Sequence, residues 1–175
     1  MWLRTDIDGI FLNLLIKGYA TTSDSDWGDQ WCDVECLFST DQGLALSACG
    51  SIMLSDEVDE LVHQLECLLN DQVTEDTVID LVEPDFKFIL RPKRDLRKTG
   101  QYSYIKEGFE IEDISMEWQT FLWNGAPTKN YLTVTFYRED IEILLTYLSL
   151  ISEKLSDSDP SVVFLCEKGL LHKYR

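Results

Sequence analysis

Residues 27–69 narrow the folds open to this chain more than any other stretch, because they read as strand, tight turn, strand and capped amphipathic helix. In WCDVECLF (31–38), apolar and polar side chains partly alternate, so Asp33 and Glu35 face away from Val34 and Cys36. That is the period of a half-buried strand. Asp41, Gln42 and Gly43 supply turn chemistry, since glycine accepts a positive φ without steric cost. LALSACGSIML (44–54) returns as a second strand, and the pair is expected to form an antiparallel hairpin. Ser55 follows as the expected N-cap, with Asp56 and Glu57 at the positive end of the helix dipole. Val58, Leu61, Val62, Leu65 and Leu69 then form one apolar stripe. A helix laid over a hairpin can bury a core, and this unit is the expected nucleus of the fold.

At 175 residues the chain is long enough for one domain over 1–175, with its core over 8–155. Charge is its unusual property: 32 acidic side chains stand against 15 basic ones, a net of −17. Residues 1–90 hold 19 acids and 3 bases, whereas residues 91–175 hold 13 and 12. A field of this sign repels nucleic acid and anionic membranes and speeds encounter with a basic partner. The five cysteines, at 32, 36, 49, 67 and 166, are odd in number and make no C-x-x-C pair. Free thiols in a reducing cytoplasm are therefore expected. Near the N-terminus Asp6 and Asp8 stand where a secretory leader would carry basic residues, and the apolar runs are too short to span a bilayer. A soluble cytoplasmic protein is the expectation.

Elsewhere the chain offers a short edge strand at 1–7, a strong strand from Ile10 to Ile16 that runs on to Tyr19, and short strands at 78–82 and 86–90 around Glu83, Pro84 and Asp85. Residues 102–105 and 109–123 read as further strand material, the latter with room for a bulge. YLTVTFY (131–137), after a turn at 124–127, is the clearest strand. A second amphipathic helix follows through Ile141, Leu144, Leu145, Leu148 and Ile151 or Leu155, and 156–160 stops it. The apolar run at 162–166 is expected to be an extra strand or a docking tail in a C-terminal extension, 156–175. Between the two halves lies a basic arm at 91–100, where Arg91, Lys93, Arg94, Arg97 and Lys98 surround the single acid Asp95. The expected class is α+β: an antiparallel sheet of about six to eight strands with two amphipathic helices packed on it.

Signals for catalysis are thin. Only His63 and His172 could serve a Ser-His-Asp or Cys-His device, and no G-x-S-x-G or phosphate-cradling glycine motif occurs. Cys32 and Cys36 lack the second pair that a zinc site needs. Asp24, Asp26 and Asp29 alternate like a calcium loop, but the required glycine and the later glutamate are out of register. No catalytic residue, metal or cofactor is expected. The residue types that do point to a function are acids beside aromatics, the composition of protein-binding hot spots. The candidates are Asp24, Asp26, Trp27, Asp29, Trp31, Asp33 and Glu35 around the hairpin, with Asp56, Glu57 and Glu60 at the helix start.

Gly18 and Tyr19, the polar loop, WGDQW (27–31), the strand, the serine-capped helix and then EPDF (83–86) before another strand form an ordered pattern. In that order it resembles WapI-type immunity proteins, over roughly residues 8–90 and more loosely 111–151. The arm and the segment after 156 look like additions to it. The resemblance implies a small cytoplasmic bacterial protein that neutralises the C-terminal domain of a contact-dependent toxin. Such toxins are often nucleases with basic clefts, which an acidic inhibitor can occupy as a phosphate mimic. The first expectation is therefore an immunity protein whose acidic surface binds a basic toxin domain. The second is a non-catalytic module that self-associates, as a homodimer, through its acidic half and basic arm. The third and weakest is a hydrolase using clustered carboxylates.

Overall fold

The computed structural model describes residues 1–20 and 30–173. Strands β1 (Trp2–Ile7), β2 (Ile10–Lys17), β3 (Trp31–Ser39) and β4 (Ala45–Leu54) lead into helix α1 (Ser55–Leu69). Strands β5 (Thr77–Asp80) and β6 (Phe86–Arg91) follow, then a small arm of β7 (Arg94–Asp95), α2 (Leu96–Thr99) and β8 (Ile111–Glu112). β9 (Ser115–Trp123) and β10 (Pro127–Tyr137) form a hairpin before α3 (Arg138–Ile151), α4 (Pro160–Glu167) and β11 (Leu171–His172).

The class is α+β with antiparallel pairing, as expected, but the strands divide. One sheet runs β11-β1-β2-β3-β4, another runs β10-β9-β6-β5, and β7 pairs with β8 in the arm. The reason lies in the number of half-buried faces. Cys32, Val34, Cys36 and Phe38 on one sheet and Phe86, Phe88 and Leu90 on the other are all buried, and two helices cannot cover both rows spread out side by side. Instead the inner faces share one core around Trp118, whose ring lies 5.4 Å from Phe38, 5.1 Å from Phe86 and 5.0 Å from Phe88. Val58, Leu61, Val62, Leu65 and Leu68 of α1 and Ile141, Leu144, Tyr147 and Leu148 of α3 enter the same core.

Several local expectations are corrected. Ser55 is the first residue of α1, not its N-cap, and its buried hydroxyl accepts from Ala20 N–H and donates to the Gln30 carbonyl. The cap comes from Glu57, whose carboxylate accepts from Leu54 N–H at 2.8 Å. β1 is no edge, because β11 pairs with it through Trp2 opposite His172. Residues 102–105 form no strand. The run at 162–166 is helical: Pro160 stands at the start of α4, and burial falls on Val162 and Leu165, the helical spacing, while Val163 and Phe164 are exposed. None of the described helices is long and apolar enough to cross a membrane.

Candidate functional site

Alternation along β3 turns Cys32, Val34, Cys36 and Phe38 inward and leaves Asp33, Glu35 and Leu37 on the outer face. Asp33 accepts from the Ser51 hydroxyl at 2.8 Å across the ladder, and Glu35 ion-pairs Lys17 at 2.8 Å. Beside them Trp2, Leu15, Leu37 and Cys49 help line a hollow of about 450 Å³. Trp31, at the start of β3, is half-buried. Asp24, Asp26, Trp27 and Asp29 lie outside the described residues.

The helix-start acids have separate jobs. Glu60 accepts from Gln64 at 2.7 Å on the exposed face of α1, and Asp56 is exposed. Glu57 is engaged within the fold: its second oxygen accepts from Val82 N–H at 2.6 Å, tying α1 to the segment between β5 and β6. Asp59, which the sequence did not single out, accepts from the Tyr19 hydroxyl at 3.0 Å and meets Lys154 at 3.5 Å. Partial burial and that bond push the Tyr19 phenol up to about 12.

A second group of side chains comes together where the β3–β4 turn approaches the β9–β10 turn. Leu44, Leu122, Trp123 and Tyr131 are all exposed there. Asp85 sits among them, lining a hollow of about 440 Å³ with Leu46, Ala48, Phe121 and Trp123. Burial pushes the Asp85 carboxyl up, while its hydrogen bond with the Trp123 side chain pulls the other way. Sequence reading missed this site because its members come from three distant segments. The signal was present in LW at 122–123 and in Leu44, apolar residues placed at turns.

The arm is less free than its composition implies. Arg91 bonds Glu117 at 2.6 Å and Asp76 at 3.0 Å, Arg94 also binds Asp76, and Arg97 pairs with Asp95 at 2.8 Å. Three of the cations that a neighbouring copy would have to recruit are thus already paired within the chain. Among the described residues His172 stacks on Trp2 at 4.4 Å, and exposed His63 lies 3.8 Å from the Cys67 sulfur. Among the described residues no group of three or more His, Cys, Asp or Glu is placed to hold a metal ion.

A comparison with curated proteins returns no match. Residues 2–156, by contrast, match a family model described as the immunity protein WapI-like family. The matched span runs through the 91–100 arm and stops before α4 and β11, so of the two presumed additions only the last segment lies outside it. The chain belongs to the immunity protein WapI-like family.

Proposed function

We propose that the protein is a stoichiometric inhibitor that binds the C-terminal domain of a cognate toxin through an acidic surface, and that the toxin domain is basic, as a nuclease is. Family membership over residues 2–156 supports the immunity role. The observation that carries the acidic surface is the charge imbalance of residues 1–90, with 19 acids against 3 bases. Opposite potentials steer encounter and fix orientation, and both effects weaken as salt screens the field. Asp33, Glu35, Asp56 and Glu60 are acids of this half with exposed side chains, and together with the aspartates of 21–29 they are the contacts assigned here. No turnover is part of this role.

The test is affinity capture of the toxin domain from the source cells, followed by a titration of its toxicity with the purified protein. One-to-one neutralisation, with capture that weakens between low and high salt, is expected. Failure to retain any toxin, or neutralisation at a small fraction of the toxin's concentration, overturns the proposal.

A further inference from the structure

The long edge of the five-stranded sheet is unusually bare. β4, ALSACGSIML, is ten residues long and contains no charged side chain and no proline. Edge strands normally carry charge, proline or extreme shortness, because a free row of N–H and C=O groups templates pairing with another chain. The other edges of the two main sheets follow that rule. β11 has two residues and β5 four, and β10 opens with Pro127 and Lys129 and shifts register between Pro127 and Tyr131. In β4 the irregularity comes late, where Ile52 is an extra residue between the pairs Cys32–Met53 and Asp33–Ser51. Residues 45–50 pair with β3 without a break in register, and their outward backbone groups meet no partner among the described residues.

Leu46 and Ala48 point toward the core side yet are only half-buried, so the inner face lacks cover at this edge. The two hollows described above flank the same strand. Ser47 and Cys49 help line the one shared with Leu15 and Leu37, and Leu46 and Ala48 line the one shared with Asp85 and Trp123. An added strand sends alternate side chains to opposite faces, so it would feed both hollows in turn. Charge selects among occupants. Asp33, Glu35 and Asp41 are exposed around this edge and Asp85 is beside it, while Lys17 is already paired to Glu35. A second copy would bring the same acids and another net charge of −17, and like charges brought together destabilise such a pairing.

We propose that residues 45–50 of β4 form the edge on which the toxin domain adds a strand. That strand carries a Lys or Arg toward Asp85 and apolar side chains toward Leu15 and Leu37. The inference rests on the immunity reading and locates its interface.

The experiment uses the full chain and the captured toxin domain. Hydrogen exchange of the complex is expected to slow about tenfold or more at every second amide of residues 45–50, the signature of one new ladder. Lysines at two exposed edge positions, Ser47→Lys with Cys49→Lys, are expected to weaken binding at least about tenfold with an unchanged melting temperature. Asp85→Asn separately tests the cation contact and should also weaken capture. If toxin binds while residues 45–50 keep their free-state exchange, the strand proposal is wrong and the immunity reading stands. If no toxin binds, both fall. Protection of 45–50 in toxin-free protein, with a dimer in sedimentation, would instead identify the occupant as a second copy and overturn the proposal.

Discussion

The hydroxyl of Tyr147 in α3 accepts a hydrogen bond at 2.9 Å from the backbone N–H of Ile16 in β2, both groups being buried. Ile16 pairs with Val34 of β3 on one side, but the pairing of β1 with β2 reaches only Leu14, opposite Leu3, so on the β1 side a side chain from a helix stands beyond the last strand partner. Tyr147→Phe keeps the ring and orphans the amide. It should cost about 1–3 kcal/mol, seen as a lower denaturation midpoint with an unchanged slope. An unchanged midpoint would show that another acceptor satisfies Ile16.

Glu57 holds two backbone N–H groups, Leu54 and Val82, from separate elements. Glu57→Ala leaves both without this acceptor and should lower stability by about 1–3 kcal/mol. Glu57→Gln should restore only part of the loss, because the amide offers one oxygen and turns donors toward the other N–H. Urea unfolding of the three proteins gives the comparison.

Trp118 touches Phe38, Phe86, Phe88 and Phe136, and its buried indole N–H has no partner among the described residues. Trp118→Ala should cost about 3–5 kcal/mol through the cavity it opens. Trp118→Phe should cost distinctly less than its lost volume suggests, since it also removes the unsatisfied donor. Equal losses in the two variants would argue that the N–H is satisfied.

The Arg138 guanidinium holds the Asp113 carboxyl down at about 2 by a two-pronged bond, with both contacts at 2.9 Å. A folded value below the unfolded one, about 4, means that the pair's contribution is fully present above the unfolded value. It is lost as pH falls through about 2. Asp113→Asn should therefore flatten the fall in melting temperature across that acid window and leave the slope near neutrality unchanged. An acid limb identical to the parent's would count against the pair.

Cys32 and Cys36 are buried, and burial pushes both thiols up, whereas Cys49 is exposed on β4. Brief alkylation of the native protein should modify Cys49 well before either buried thiol, as read by peptide mass. A toxin strand added to β4 should shield Cys49 from the same reagent.

Much of the architecture was legible where one periodicity ran uninterrupted. The β3–β4 hairpin, the α1 stripe from Val58 to Leu65 and the β6 alternation of Phe86, Phe88 and Leu90 all lie in the structure as the sequence spaced them. What could not be read depends on distant partners. Nothing local says that Tyr147 goes inside, that Leu68 rather than Leu69 is the fully buried end of the α1 stripe, or that two sheets close over Trp118. In VVFLC (162–166) the β-branched pair argued for a strand, and Pro160 with the loop before it decided for a helix. Of the candidate site, the acids were visible as composition. Their division into fold-holding Glu57 and outward-facing Asp33 and Glu35 required the folded backbone.

The pairing of β11 with β1 joins residues 171–172 to residues 2–3, which gives the fold a direction in time. A ribosome delivers β1 well before β11, so until residues 171–172 emerge the flank of β1 that β11 will cover stands open. Until then β1 and β4 both flank that sheet among the described residues, and the arrival of β11 leaves β4 as its long edge.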